Sequence, residues 1–300
     1  MQLFNKLVVA TLPLVPKSIV KTVARRYIAG PLLSDAVHVT QQLMAKGACS
    51  TIDVLGEFVS ERDRAVHETS TAASVVEAIH SYNLDSYLSV KLTSLGLDID
   101  ENFAYENVRM LANKARHYGL RMRMDMENTP YTDRTIAFYK RLRADGYDNV
   151  GIVLQAYLHR TEADIRSLLD YAPSVRLCKG IYVEDASVAI KDANAIRSNY
   201  SSLLRILVDG GASVHIATHD ETLIADAEQV VRQRNLDASR YEFQMLLGVR
   251  EDRRDVLIRN GHRVRIYVPF GEDWYGYSTR RLKENPQVAG YVAKAVLTGT

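Results

Sequence analysis

The chain has 300 residues, of which 47% are hydrophobic and 25% are charged, and its formal net charge is +2. A chain of this size can fold as one domain that buries about three quarters of its unfolded surface. So small a net charge excludes the strong positive field typical of nucleic-acid-binding proteins. The two cysteines, Cys49 and Cys178, stand in no CxxC or Cys–His spacing. This predicts neither a disulfide framework nor a zinc site and favours a reducing cytoplasm.

The first apolar run, residues 7–15, lies between Lys6 and Lys17 and contains Pro13. It is too short to span a bilayer, and no clear small-residue cleavage site follows it. We therefore predict a helical arm over residues 1–48 that packs on the main domain. The alternative is an amphipathic segment that makes peripheral contact with a membrane surface.

Eight short apolar runs follow, separated by segments whose apolar residues recur at three-to-four spacing. The runs cover residues 51–55, 87–92, 121–126, 150–155, 174–179, 213–218, 241–246 and 264–268. Several intervening segments end at glycine, as helices often do. Eight βα units in about 250 residues predict an α/β fold, a closed (β/α)8 TIM-like barrel over residues 49–300. An open, doubly wound sheet is the alternative.

Residues 264–285 read VRIYVPFGEDWYGYSTRRLKEN and predict a last strand followed by a helix. On that helix Tyr277, Arg281 and Glu284 fall on one stripe, and Arg280 lies beside them. Adjacent guanidinium groups suit a carboxylate, and a glutamate one turn away suits an amine. We expect this final helix to carry both arginines over the barrel mouth and to bind a small zwitterion. A solvated charged face is the alternative.

Polar residues stand near the carboxyl ends of the predicted strands, where the active sites of (β/α)8 barrels lie. They are Lys91, Asp125, Glu127, Gln155, Lys179, Thr218, His219, Asp220, Gln244 and Tyr267. A buried Asp125 needs a partner, and Lys91 at the end of the preceding strand is the expected one. The pair is either a structural ion pair or a device that orients or deprotonates an amine. Arg176, inside a strand, must likewise find an anion or a carbonyl.

Two histidines, His215 and His219, raise the question of a metal site. His215 lies within a predicted strand and His219 beyond it, so the two need not converge, and no HxH or HExxH motif is present. Only Asp125, Glu127 and His219 are plausible ligands, and we predict no metal site. No GxGxxG or GxxxxGK[ST] motif supports a Rossmann or P-loop site. The residues alone therefore predict a barrel enzyme that acts on a small zwitterion.

Seven stretches, spread over about residues 50–285, together resemble the proline dehydrogenase family and follow that family's order. They are KLTSLG at 91–96, RMRMDMEN at 121–128, GIVLQAYL at 151–158, VRLCKGIY at 175–182, IATHD at 216–220, YEFQMLLG at 241–248, and RIYVPFG followed by YSTRRLKEN within 265–285. The closing Tyr-x-x-Arg-Arg-x-x-Glu is the most specific of these motifs.

The resemblance implies a monofunctional flavoenzyme that holds FAD non-covalently in a (β/α)8 barrel. Such an enzyme oxidises L-proline to Δ1-pyrroline-5-carboxylate by hydride transfer to flavin N5, the first step of proline catabolism. A quinone then accepts the electrons, which would give the basic, apolar N-terminal segment a role at the membrane. Pyrroline-5-carboxylate dehydrogenase would be the downstream enzyme.

The resemblance also assigns residues to the substrate. Those expected to bind proline are Lys91, Tyr267, Tyr277, Arg280, Arg281 and Glu284. Arg280 and Arg281 would take the carboxylate. Glu284 and Asp125 would hold or orient the amine end. Glu57 matches a gate carboxylate that would pair with Arg281 and close the pocket.

A second group of residues matches positions that contact FAD in the family. They are Met126, Gln155, Arg176, Lys179, Gly180, Ile181, Tyr182, Thr218 and His219. Arg176 is expected near flavin N5 and, with Asp125, is assigned to catalysis. Val183 departs from the pattern because larger bifunctional relatives carry tryptophan there. The adenine side of the site is therefore expected to be built differently.

Two other functions suit a barrel with these residues. One is a class I aldolase that forms a Schiff base on Lys91 or Lys179. The other is a non-catalytic binding barrel, in which substitution of Asp125 or Arg281 would leave ligand handling unchanged. Neither explains the Arg-Arg-x-x-Glu helix together with Tyr267.

Overall fold

The computed structural model of the protein describes residues 26–275, 277 and 278. Within them, eight parallel strands form a closed barrel in which each strand pairs with the next along the chain and the last pairs with the first. The predicted (β/α)8 barrel is confirmed, and the open-sheet alternative is wrong.

The strands lie close to the predicted apolar runs. They are β1 Cys49–Val54, β2 Ser86–Val90, β3 Met122–Met124, β4 Val150–Gln155, β5 Ser174–Cys178, β6 Ser213–Ala217, β7 Tyr241–Leu246 and β8 Val264–Phe270. The α-helices of the described segments are α1 Leu33–Ala45, α2 Arg62–Ser81, α3 Glu101–His117, α4 Thr132–Ala144, α5 Thr161–Arg166, α6 Ala193–Asp209, α7 Glu221–Gln233 and α8 Glu251–Arg259. Short 3-10 turns at Thr129–Tyr131 and Leu169–Tyr171 precede α4 and follow α5.

The helices begin and pack as their sequences dictate. Asp100 and Asp192 cap α3 and α6, where their side chains accept hydrogen bonds from Phe103 N at 2.7 Å and Ala195 N at 2.8 Å. Apolar residues at helical spacing on each helix turn toward the strands. None of the described helices is long and apolar enough to cross a membrane.

The hydrophobic core lies between the strands and the helices, whereas the inside of the barrel is polar. In β2, Leu88 and Val90 belong to the outer core, while Tyr87 hydrogen-bonds with Gln244 of β7 across the barrel. Because side chains of a strand alternate in direction, Ser89 faces inward with Tyr87. The interior therefore holds charged groups that position one another rather than a stack of aliphatic residues.

The segment before α1 runs along β8 to the carboxyl ends of the strands. Ala29 N donates to Pro269 O at 2.9 Å. Tyr27 and Ile28 pack there with Leu55 and Tyr277 in a small apolar cluster. α1 itself packs on β1 and β8. Most of the predicted N-terminal arm, residues 1–25, lies outside the described residues.

Candidate active site

Asp125 is the focus of the polar groups at the barrel mouth. It follows β3 and is buried, and its Oδ1 accepts hydrogen bonds from Arg176 Nη1 at 2.6 Å and from Ser89 Oγ at 2.7 Å. Its Oδ2 accepts from the Tyr267 hydroxyl at 2.8 Å. The Arg176 guanidinium also lies over the Tyr267 ring, 5.3 Å from its centroid. The predicted need of Arg176 for an anion is thus met by Asp125.

Lys91 does not form the expected ion pair with Asp125. Its Nζ donates to both carboxylate oxygens of Asp53, at 2.8 and 3.0 Å. Asp53 lies on β1 and is buried. The prediction was wrong because Asp125 binds Arg176 instead. Arg176 lies on β5, which is not adjacent to β3, and its side chain crosses the barrel to reach the Asp125 carboxylate. Lys91 then pairs with the carboxylate on its other side.

Electrostatics fix the charges of these groups. Burial alone would raise the pKa of Asp125, but Arg176 and then Lys91 outweigh burial and hold that pKa below its ordinary value. Burial alone would lower the pKa of Lys91, but Asp53 and Asp125 hold it above its ordinary value. Asp125 is therefore an anion that orients its neighbours. Lys91 is an ammonium, which does not suit it to act as the nucleophile of a Schiff-base aldolase.

Gln244 connects the mouth with the polar interior below it. Its Oε1 accepts from Arg176 Nε at 2.6 Å, and its Nε2 donates to Glu242 Oε1 at 2.5 Å. Because a guanidinium only donates and a carboxylate only accepts, this orientation of the amide is the one that satisfies both. Below it, Arg265 donates to Glu242 at 2.8 Å, and burial lowers the pKa of His215 to about 4. The imidazole is thus neutral at neutral pH.

A cavity of about 300 Å³ opens beside these groups. Its described lining residues are Leu55, Gly56, Glu57, Lys91, Glu272, Asp273, Tyr275 and Tyr277. They include three carboxylates and one ammonium. The volume is in the range of small-molecule sites, and the excess of negative charge suits a ligand with a cationic end. Two predicted site residues, Glu57 and Tyr277, join Lys91 at this cavity.

Glu127, at the end of the segment after β3, is nearly fully buried. Its Oε1 accepts from Thr93 N at 3.1 Å, and its Oε2 accepts from Thr93 Oγ1 at 2.5 Å. Burial raises the pKa of Glu127 to about 7 although the bonds from Thr93 oppose the rise. Its backbone oxygen accepts from Gln155 Nε2 at 2.9 Å.

The three plausible metal ligands each bind a different group of the protein. Asp125 is bound by Arg176 and Tyr267, Glu127 by Thr93, and His219 Nε2 accepts from Leu246 N at 2.9 Å. In the described residues, no three His, Cys, Asp or Glu side chains are grouped closely enough to hold a metal ion.

The residues that match FAD contacts lie at the carboxyl end of β4 and beyond the ends of β3, β5 and β6, except Arg176, which lies inside β5. Met126, Gln155 and Thr218 are buried, and Lys179 to Tyr182 form a half-buried segment after β5. Lys179 Nζ donates to Asp220 Oδ2 at 3.2 Å, and Arg197 Nε donates to the same oxygen at 2.7 Å. Val183, by contrast, is fully exposed.

One buried donor tests whether this region fits a flavin. Arg176 Nη2 is buried and makes no hydrogen bond to another described residue. The ring nitrogens and carbonyl oxygens of a flavin are acceptors of the kind that this donor lacks. Gly180 serves the packing of the protein itself: a Cβ there would lie 2.1 Å from the Tyr157 ring, at a φ of +113° that also favours glycine. The buried Nη2 of Arg176 is thus a donor that fits a flavin.

Three predicted substrate residues, Arg280, Arg281 and Glu284, lie outside the described residues. The sequence reasoning missed Asp53, and it missed Thr93, which holds Glu127. A signal for Asp53 was present, since in β1 it is a carboxylate in an apolar run, as Asp125 is beside β3.

A closed (β/α)8 barrel with buried ion pairs and a small acidic cavity at its carboxyl end defines an enzyme of the TIM-barrel class. A sequence model described as proline dehydrogenase matches residues 36–294. The chain is 37% identical over 274 residues to proline dehydrogenase 1 of Bacillus subtilis (strain 168), covering 91% of this chain and 90% of that protein. It is 36% identical over 280 residues to the proline dehydrogenase of Deinococcus radiodurans, covering 92% and 90%.

Solved structures share the fold. The crystal structure of proline utilization A (PutA) from Bdellovibrio bacteriovorus, inactivated by N-propargylglycine, matches with a TM-score of 0.83 at 22% identity. The match covers 89% of this chain and 33% of the PutA chain, so the present chain spans about a third of that protein's length. The family match and the two proline dehydrogenases of Bacillus subtilis and Deinococcus radiodurans show that the chain belongs to the proline dehydrogenase family. It is an oxidoreductase of that family, which replaces the aldolase and the non-catalytic alternatives.

Proposed function

We propose that this protein oxidises L-proline to Δ1-pyrroline-5-carboxylate, with non-covalently bound FAD as the electron acceptor. The observation that carries the proposal is the Asp125–Arg176–Tyr267 group beside an acidic cavity. These residues provide fixed charges and an aromatic ring next to a space for a small zwitterion. The family assignment supports the same reaction.

The substrate would lie with its two charged ends bound by different groups. Arg280 and Arg281 would hold the carboxylate, since a guanidinium matches it with paired donors. Glu284 and Asp125 would orient the amine end. Tyr267 would pack against the ring, and Tyr277 would line the same pocket.

The oxidation removes a hydride from C5 of proline and a proton from its nitrogen. When bound, the flavin supplies the hydride acceptor at N5, the chemistry that the side chains lack. The chain's residues would favour the neutral amine, whose lone pair assists hydride loss. Burial at the barrel mouth would disfavour the ammonium form. The positive charges of Arg176 and Lys91 are each paired with a carboxylate, Asp125 and Asp53, so they add little to this effect.

Cofactor binding would involve the residues at the ends of β3 to β6. They are Met126, Gln155, Arg176, Lys179, Gly180, Ile181, Tyr182, Thr218 and His219. Arg176 would donate a hydrogen bond to the flavin, because its buried Nη2 needs an acceptor. Glu57 would act as a gate by pairing with Arg281.

The electrons would pass to a quinone, and the product would pass to pyrroline-5-carboxylate dehydrogenase. The protein would then catalyse the first step of proline catabolism. A quinone acceptor suits a cytoplasmic enzyme that contacts the membrane peripherally. Residues 7–15, apolar and flanked by lysines, would make that contact.

Substitution of Arg281 by methionine tests the substrate assignment. Loss of a charged hydrogen-bond pair should raise the KM for L-proline roughly 10- to 100-fold. The flavin content should stay at the wild-type level. The exposed Arg259, at the end of α8, offers the control Arg259→Met, which should change neither quantity. Loss of flavin from Arg281→Met, or an unchanged KM, would contradict the assignment.

A further inference from the structure

The loop between β1 and α2, residues 55–61, contains a residue in an unfavourable conformation. Phe58 has φ +57°, in the left-handed region that residues other than glycine seldom adopt. Such a conformation is strained and persists only when surrounding contacts hold it. Phe58 immediately follows Glu57, which lines the cavity. Its side chain is 45% exposed, so burial of the ring does not account for the conformation.

Two hydrogen bonds to one residue, Thr93, hold this loop. Phe58 N donates to Thr93 Oγ1 at 2.9 Å, and Val59 N donates to Thr93 O at 3.1 Å. Thr93 is fully buried and stands two residues after Lys91, another residue of the cavity wall. The loops after β1 and β2 are therefore joined at the position where the backbone is strained.

Glu127 holds the Thr93 side chain in place. The Thr93 hydroxyl donates to Glu127 Oε2 at 2.5 Å when that carboxylate is ionised, and it accepts from Glu127 when the carboxyl group is protonated. In either case the hydroxyl must use a lone pair to accept from Phe58 N, since a backbone N–H only donates. A second bond, from Thr93 N to Glu127, prevents the threonine from turning away. Glu127, Thr93 and Phe58 thus form one chain of hydrogen bonds through three consecutive loops.

We infer that Thr93, held by Glu127, is a positioning residue for substrate binding. It keeps Phe58 in the left-handed conformation and thereby keeps Glu57 in the cavity wall. Without the hydroxyl, Phe58 relaxes to a negative φ, the chain changes direction beside Glu57, and the wall loses that carboxylate. Thr93 acts through the loop and does not touch the substrate. The inference rests on the proposed function, to which it adds a determinant of affinity for proline.

The test compares two substitutions of Thr93 in the full-length, flavin-loaded enzyme. Thr93→Val keeps the shape of the side chain but removes its hydroxyl group. Thr93→Ser keeps the hydroxyl group and removes only the methyl group. Loss of a buried hydrogen bond should raise the KM for L-proline roughly tenfold in Thr93→Val. The kcat should change less than about twofold, because the groups that contact the reacting atoms stay in place. Thr93→Ser should resemble the wild type in both constants.

A second substitution separates positioning from general damage to the fold. Glycine adopts a positive φ without a restraint. Adding Phe58→Gly to Thr93→Val should therefore recover most of the lost affinity, although it restores no hydrogen bond. The inference is overturned if Thr93→Val and Thr93→Ser raise KM equally, or if Phe58→Gly gives no recovery.

Hydrogen exchange provides a readout that does not depend on turnover. The amides of residues 58 and 59 should exchange faster in Thr93→Val than in Thr93→Ser or the wild type. Equal protection in the two variants would show that the hydroxyl does not hold the loop. A wild-type protein that fails to oxidise proline would contradict the proposed function instead, and the exchange measurement would still decide the role of Thr93.

Discussion

Asp125 and its partners come from four different strands or strand ends. Its carboxylate accepts from Ser89, Arg176 and Tyr267, and each of these groups is buried or half-buried. The carboxylate and the guanidinium have both lost their water, so each depends on the other for its charge to be tolerated. This dependence makes the pair a sensitive point for stability as well as for chemistry.

We expect Asp125→Asn to lower the free energy of unfolding by about 3 to 5 kcal/mol, because it leaves the buried Arg176 without a counterion. Urea denaturation of the wild type and the variant measures the difference. Asp209→Asn is a matched control: Asp209 also pairs with an arginine, Arg234, at 2.8 Å, but on the surface. It should leave stability nearly unchanged. Equal losses in the two variants would contradict the account of the Asp125 pair.

Glu127 predicts a pH dependence of stability. Burial raises its pKa from 4.5 to about 7, so folding favours the protonated form. The stabilising effect of this proton is fully present below the unfolded pKa and is lost as the pH rises through about 7. A shift of this size corresponds to about 3 kcal/mol. Relative to Glu127→Gln, which has no such group, the wild type should therefore lose stability between pH 5 and 8.

Chemical denaturation of both proteins across this pH range measures the effect, and groups common to both cancel in the difference. The unfolding free energy of the wild type minus that of Glu127→Gln should fall by roughly 2 to 3 kcal/mol. A difference that does not change with pH would mean that folding does not raise the pKa of Glu127.

Among the elements, the segment before α1 is held unusually close to the loop after β7. A Cβ on Gly248 would lie 2.1 Å from Arg26 O, and Gly248 has φ +71°. The neighbouring residues Tyr27 and Ile28 pack with Leu55 and Tyr277, which line the cavity. The close contact at Gly248 therefore supports one wall of the site.

Gly248→Ala should displace this segment, and Gly119→Ala provides the comparison. Gly119 has nearly the same φ, +68°, but nothing lies within 4 Å of its added Cβ. Both variants suffer the left-handed strain, of roughly 1 to 2 kcal/mol. Only Gly248→Ala adds overpacking, of roughly 1 to 3 kcal/mol. Thermal and urea unfolding should show the larger loss for Gly248→Ala, and equal losses would contradict the proposed contact.

The elements themselves were largely predictable from the sequence. Runs such as VGIVLQ at 150–155 have the length and apolar content of buried parallel strands, and their positions agree with β4 and its neighbours. The inward and outward faces could also be read from alternation, as in the Tyr87 and Ser89 positions of β2. The shortest strand, β3, was predicted too long because Met126 continues the alternation of Met122 and Met124 beyond the last strand residue.

The partners of the site residues could not be read in the same way. The order of the strands places Lys91 beside both Asp53 and Asp125, and sequence gives no reason to choose. The choice depends on Arg176, which reaches Asp125 across the interior of the barrel. Thr93 was overlooked for a related reason, since its role depends on the backbone angle of Phe58 in another loop.

At the scale of the whole molecule, closure of the barrel assembles the site. Tyr267 and Asp125 are 142 positions apart in the chain, and Lys91 and Asp53 are 38 apart. The pairing of β8 with β1 brings the last strand, and the segment that leads toward Arg280 and Arg281, beside the first. Binding and chemistry thus depend on the complete barrel rather than on any local part of it.

We propose that this barrel uses a flavin to oxidise L-proline. The most direct measurement is the visible absorption spectrum of the purified protein, recorded anaerobically before and after addition of L-proline, with D-proline as the control. We predict a flavin spectrum that bleaches with L-proline, because the bound substrate transfers two electrons to the cofactor. A flavin that stays oxidised, or a colourless protein that FAD does not reconstitute, would contradict the account.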